Sequence, residues 1–284
     1  MQEFTSPDDL RAWIGARRKQ GQRIGFVPTM GALHEGHLTL VDAARAQSDA
    51  VVMSIFVNPL QFAPHEDLAR YPRDLSRDRG LAQSRGVDVL FLPSVETMYP
   101  AGAEIRVIPG ETGARWEGKM RPGHFTGVLT VVAKLFHLVE PDVAVFGQKD
   151  IQQAVLIRRM VLDLDWNVDI ALVPTVREPD GLALSSRNVY LDSDGRQQAL
   201  ALSSALRRAH QLFQSGEREA PVLLLAMQEV FAMHPGITVE YIAIADPQHM
   251  QPVVLADAST IVALAARVGT TRLIDNIALG QGPG

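Results

Sequence analysis

The sequence predicts an α/β protein: a doubly wound parallel sheet over residues 1–174, followed by a smaller α+β domain over residues 175–284. Three observations carry this. Up to Pro174, short apolar runs alternate with longer amphipathic stretches, the pattern of a parallel sheet covered by helices on both faces. Beyond Pro174 the order changes: two amphipathic stretches come first, then three strand-like runs with no helices between them. At 284 residues the chain has the length of two ordinary domains of about 150 residues each.

Taken in order, Ser6 is placed to cap a first helix, Pro7 suits its first turn, and Asp8 and Asp9 complement the helix dipole there. Leu10, Trp13 and Ile14 keep helical spacing, and Gly21 ends the helix after Arg17, Arg18 and Lys19. Strands are expected at 24–27, 51–57, 87–92, 143–146 and 168–173, separated by helices at 37–47, 74–85, 125–139 and 151–163. Glu178-Pro179-Asp180-Gly181 reads as a turn. Helices at 193–214 and 221–233 follow it, then strand-like runs at 239–245, 261–265 and 272–274. The closing Gly280-Gln281-Gly282-Pro283-Gly284 is expected to fray.

Composition narrows the chemistry. Hydrophobic residues at 46% and charged residues at 21% exclude wholesale disorder. A net charge of −5, from 27 basic and 32 acidic residues, argues against a general binder of nucleic acid or anionic membrane. It leaves room for a local basic pocket. Cysteine is absent, which excludes disulfides, thiolate metal sites, iron–sulfur clusters and thiol nucleophiles. No run approaches the roughly 18 apolar residues of a membrane span. The amino terminus lacks the uninterrupted apolar stretch of a signal peptide, so a cytoplasmic location is expected.

The most informative stretch runs from Phe26 to Leu38, after the first core strand and into the next helix. Backbone amides and a positive helix terminus there face any bound phosphate. Gly31 and Gly36 have P-loop spacing, but His37-Leu38 stands where that motif needs Lys and Ser or Thr. What remains is His34-Glu35-Gly36-His37, two imidazoles able to donate to phosphate oxygens as charge builds in an in-line displacement. Metal binding is a competing reading, although Leu38 breaks the zinc pattern, and plain capping and packing is another. Later strand ends supply further candidates. Asn58-Pro59-Leu60-Gln61-Phe62 is either a rigid turn or a polar site. Gly147-Gln148-Lys149-Asp150 offers a helix cap or a point charge for phosphate. Gln153 lies one turn further on. Leu184-Ser185-Ser186-Arg187-Asn188 is an ordinary polar loop or a clamp for pyrophosphate. The stretch from Glu117 through Arg121-Pro122-Gly123-His124-Phe125 reads as a helix-entry turn.

Together these blocks resemble the pantoate–β-alanine ligase family, the pantothenate synthetases, in register over nearly the whole chain. The similar blocks are 28–37, 55–62, 121–125, 147–150 and 184–188. The family lies in the nucleotidylyltransferase superfamily, which has a Rossmann-like fold. The resemblance implies attack of the pantoate carboxylate on the α-phosphate of ATP, giving pantoyl adenylate and pyrophosphate. The amine of β-alanine then displaces AMP. It further implies that Met30, Gly31, Ala32, Leu33, His34, Glu35, Gly36 and His37 hold ATP, with Gly147, Gln148, Lys149, Asp150, Val176, Leu184, Ser185, Ser186 and Arg187 completing the nucleotide site. His34, His37, Lys149 and Arg187 act on the phosphates, Arg187 from a mobile segment, and Gln61 and Gln153 bind pantoate. Mg2+ accompanies ATP; its protein ligands are open, since an acidic pair found in some members is represented here by Asp78 alone, beside Arg77. A homodimer is implied too, with the apolar strand at 51–57 and its neighbouring helices as a two-fold contact.

Three other functions compete. A cytidylyl- or adenylyltransferase would share His34 to His37 but would not need Gln61, Gln153 and the 121–125 block together. A class I aminoacyl-tRNA synthetase would need an anticodon-binding domain, for which an acidic chain of 284 residues is expected to leave no room. A catalytically silent nucleotide-binding protein would not need His34, His37, Lys149 and Arg187 intact.

Overall fold

The computed structural model describes residues 1–64 and 66–283. Its elements run in the order β1 (Gln2–Phe4), α1 (Pro7–Lys19), β2 (Ile24–Thr29), α2 (Glu35–Arg45), β3 (Ala50–Ile55), α3 (Leu75–Ser84), β4 (Val89–Phe91), α4 (Val95–Met98), α5 (Trp116–Met120), α6 (His124–Val139), β5 (Val143–Gly147), α7 (Ile151–Asp163), β6 (Asp169–Val173), α8 (Ser193–Gln214), α9 (Ala220–Ala232), β7 (Ile237–Ala245), β8 (Ile261–Val268) and β9 (Thr271–Ala278). The chain divides into two compact units. The first comprises Met1–Gly110, Arg121–Gly147 and Leu156–Val173; the second comprises Glu111–Met120, Gln148–Val155 and Pro174–Gly284.

In the first unit six strands lie in the order β1-β4-β3-β2-β5-β6, every pairing parallel. The period of two along each strand sorts side chains to the two faces. Ile24 and Phe26, Ala50 and Val52, and Val89 and Phe91 pack with Leu10 and Ile14 of α1 and with the apolar face of α6. Val27, Val51, Met53 and Leu90 pack with Leu40, Val41 and Ala44 of α2 and with Ala82 of α3. Each large side chain so buried contributes about 1.5–3 kcal/mol. Doubly wound is therefore the correct description. From β2 the chain builds outward through β3 and β4, then returns to place β5 on the other side of β2. The strand order reverses between β2 and β5, and in open α/β sheets ligands bind beyond the carboxyl ends at such a point.

Helix α1 starts as expected, with the Ser6 hydroxyl accepting from Asp8 and Asp9. Three elements escape the sequence pattern: β1, α4 and α5. β1 is a three-residue edge strand with no buried residue, so it has no apolar alternation to read. α4 and α5 have four and five residues, too few for a helical period. The apolar strand assigned a role in a two-fold contact is internal: β3 lies between β2 and β4 with residues 50–54 buried, so its side chains are committed to the core. Among the described residues no helix is long and apolar enough to cross a membrane.

In the second unit β7-β8-β9 form an antiparallel sheet, with α8 and α9 covering the face that carries Val262, Leu264, Leu273 and Ile277. Expected fraying at the carboxyl end is not observed for residues 280–282. Gly280 donates to the Ala258 carbonyl at 2.8 Å, while Gln281 and Gly282 both donate to Ala278. Gly284 lies outside the described residues.

Candidate active site

The turn leaving β2 is built around two positive-φ residues, Gly31 at 81° and Ala32 at 51°. The Thr29 hydroxyl accepts from the Gly31 amide at 3.2 Å and donates to the Ser54 carbonyl at 2.8 Å, tying the turn to β3. The amides of Ala32 and Leu33 donate to the two carboxylate oxygens of Asp78, at 2.9 and 2.8 Å. Asp78 is 2% exposed, and a Cβ on Gly31 would lie 2.9 Å from its carboxylate. Glycine is thus required there both for its φ and for its lack of a side chain. Leu33 is fully buried in the core with its amide committed to Asp78, and Glu35 pairs with Arg85 at the surface, so both side chains already have partners within the protein.

α2 begins directly after His34. The His34 and His37 rings lie side by side, 4.1 Å between centroids, where the helix amides point out of its N-terminus. His37 Nδ1 accepts from the His34 amide at 3.4 Å, so a neutral His37 ring carries its proton on Nε2. Such a proton is a donor at a positive helix end, suited to an anionic oxygen.

Gln61 is held from several sides in the same unit. Buried Asn58 uses its whole amide: Nδ2 donates to Gln61 Oε1 at 3.0 Å and to the Gly127 carbonyl at 3.1 Å, while Oδ1 accepts from Leu60 and from the Tyr99 hydroxyl. Burial pushes the Tyr99 phenol well above its ordinary range, keeping it a donor. A Cβ on Gly127 would fall 2.2 Å from the Leu60 carbonyl, so only glycine lets α6 approach this turn. Gln61 Nε2 donates to the Met30 sulfur at 3.2 Å, which brings the two predicted stretches together. The Gln61 carbonyl accepts from His124 Nδ1 at 2.9 Å and from Arg121 at 3.3 Å. With Nδ1 donating and Nε2 facing Arg121 at 3.1 Å, His124 fits the neutral ring. Arg121 in turn holds Glu66 through two bonds of 2.6 and 2.7 Å. Burial raises the Glu66 carboxyl, but the bond and charge of Arg121 outweigh this and keep it below the usual range.

The remaining predicted residues, apart from Gly147 at the end of β5, belong to the second unit. Gln148, Lys149 and Asp150 form a 3-10 turn directly before α7, with Lys149 Nζ 4.0 Å from the Asp150 carboxylate. Gln153 is half-buried on the first turn of α7. Val176 and Leu184 face each other across a short hairpin, the Leu184 amide donating to the Val176 carbonyl at 2.9 Å. Its tip is the expected Glu178 to Gly181 turn, with Gly181 at φ 93°. Ser185 Oγ accepts from the Arg187 amide at 3.3 Å and caps the 3-10 turn that carries Ser186 and Arg187.

Sequence reasoning gave no role to Glu66, nor to Arg177, Asp275 and Asn276, which brace the second group. Asp275 and Asn276 do leave a trace, as consecutive polar residues interrupting an apolar strand pattern.

The model of the family described as pantoate–β-alanine ligase matches residues 2–278. The chain belongs to that family. The expectation drawn from separate motif blocks is met. Relatives named pantothenate synthetase are 54% identical in Moorella thermoacetica, over 95% of each chain, and 52% identical in Agrobacterium fabrum, over 96% of this chain and 94% of that one. The crystal structure of pantothenate synthetase from Thermus thermophilus superposes with a TM-score of 0.93 at 48% identity, covering 98% and 99% of the two chains. That of the pantoate–β-alanine ligase from Francisella tularensis, complexed with beta-gamma ATP and β-alanine, matches over the full length of both chains at 37% identity and TM-score 0.82.

Proposed function

We propose that this chain condenses pantoate with β-alanine in an ATP-dependent reaction, through a pantoyl adenylate, releasing pyrophosphate and then AMP. Family membership over residues 2–278 carries the reading. The pantoate carboxylate attacks the α-phosphate, and the bond to the bridging oxygen of pyrophosphate breaks. His34 and His37 donate to the phosphates from the N-terminus of α2 as negative charge accumulates. Lys149, Ser185, Ser186 and Arg187 stabilise the departing pyrophosphate. The turn from Met30 to His37, with Gly147 to Asp150, Val176 and Leu184, holds the nucleotide. Gln61 and Gln153 bind pantoate, since an amide donates and accepts at once and so suits a hydroxyl beside a carboxylate. β-Alanine then attacks the acyl carbon, its amine losing a proton as AMP leaves. No protein nucleophile is needed, in keeping with a chain that lacks cysteine.

Magnesium would accompany ATP and would offset the negative charge of its phosphates. The one acidic side chain considered for it, Asp78, accepts two backbone amides and is a poor fit as a ligand. The protein works as a homodimer, which rests on the family resemblance, and in the cytoplasm, which rests on the expectation from the sequence; sedimentation showing only monomer at micromolar concentration would remove the dimer.

The test of function is product release from ATP with pantoate and β-alanine omitted in turn. AMP and pyrophosphate should accumulate in equal amounts only when all three substrates are present. Steady turnover without β-alanine would overturn the reading.

A further inference from the structure

The nucleotide-handling segments of the second unit share one anchor. Asp275 and Asn276 are consecutive residues of β9, each 2% exposed, and alternation along a strand sends their side chains to opposite faces. Asn276 Nδ2 donates to the carbonyls of Gln148 and Lys149, at 3.0 and 2.8 Å, while its Oδ1 lies 3.5 Å from Gln148 Nε2. Only the amide nitrogen can face two carbonyls, so the side chain's orientation is fixed by chemistry. Asp275 takes Arg177 through two bonds of 2.7 and 3.0 Å and also accepts from the Asn276 amide at 2.8 Å. Arg177 lies beside Val176 and donates to the Gly181 carbonyl at 3.2 Å, so it braces the hairpin from within.

We propose that Asn276 is a positioning residue for Lys149, and that with Asp275 it holds the segments 148–150 and 176–184 in fixed register on one strand. The inference rests on the role given to Lys149 above. Lys149 Nζ sits at the end of a flexible stem, so where it can reach is set by where its backbone is held. A carbonyl released on each of two successive residues lets that backbone rotate. The Lys149 ammonium acts on the departing pyrophosphate, present in adenylation alone, whereas the segment's hold on the nucleotide serves both steps. An error in its position therefore slows adenylation far more than the attack of β-alanine. A residue that merely stabilises the fold would impair both steps equally.

The experiment measures the two half-reactions separately in Asn276→Leu, Lys149→Ala and the double variant. The readouts are the single-turnover burst of pyrophosphate and the β-alanine-dependent release of AMP from supplied pantoyl adenylate. Asn276→Leu is expected to slow adenylation about 100-fold, the scale of a misplaced reacting group. It should slow the second step far less and add nothing in the Lys149→Ala background. Equal slowing of both half-reactions, or additive losses in the double variant, would overturn the proposal. If Lys149→Ala is slow while Asn276→Leu is not, the inference alone fails. If Lys149→Ala adenylates at the original rate, the role of Lys149 fails and the inference with it. Should Asn276→Leu not fold, Asn276→Ser keeps one donor, and a smaller loss, again greater in adenylation than in the second step, is expected. Equal loss in both steps would again overturn the proposal.

Discussion

His34 and His37 illustrate how one sequence pattern can fit both a cap and the phosphate-binding pair proposed above. The His34 amide donates to His37 Nδ1, which is a capping contact, and the same contact places a proton on Nε2 of a neutral His37. The capping reading and the phosphate reading are therefore compatible. His37→Ala and Lys149→Ala should each keep the fold, by circular dichroism, yet lower turnover by at least about 100-fold, the worth of one charge-stabilising donor at about 2.7–4 kcal/mol. Near-normal turnover in either would remove that residue from the chemistry. The sequence marked the stretch from Met30 to His37 as a unit but could not sort backbone from side chain within it. Leu33 is a core residue and Glu35 is paired at the surface, and both facts depend on partners far along the chain.

Elements are positioned here by polar side chains that span long separations in sequence. Asp78, on α3, fixes the β2–α2 turn 46 residues upstream through the Ala32 amide. Asp78→Ala leaves two amides, one of them buried, without their acceptor, and an unsatisfied buried donor costs about 1–3 kcal/mol. The midpoint of thermal unfolding should fall, and the apparent Michaelis constant for ATP should rise because the turn loses its shape. Unchanged values of both would show that the turn holds itself. Hydrophobic periodicity located most strands and long helices, because burial on alternate faces writes itself into the sequence. It could not find β1, whose three residues are not buried, nor α4 and α5, which are too short for a period. Gly127 is a clearer case still: nothing local distinguishes it from other helical glycines, and its need is set by the Leu60 carbonyl 2.2 Å from its missing Cβ.

At the scale of the whole molecule, the same limit explains which residues join which unit. The sequence places one boundary near residue 174, whereas residues 111–120 and 148–155 cluster with the second unit. Their bonds there are side-chain bonds: Glu117 to Arg272, Gln152 to the Thr112 and Arg115 carbonyls, Asn276 to Gln148 and Lys149. Periodicity carries no information about such pairs, while the motif blocks around them were recognisable as a set. In the proposed reaction a carboxylate attacks ATP at its α-phosphate. Its nearest chemical rival, attack at the γ-phosphate to give an acyl phosphate, would produce ADP. The direct measurement supplies pantoate labelled with heavy oxygen in its carboxylate and follows the label by mass spectrometry. One labelled oxygen should appear in AMP once β-alanine is added, and labelled pyrophosphate should exchange into ATP only when pantoate is present. ADP as the nucleotide product, or AMP free of label, would contradict the account even if pantothenate were made.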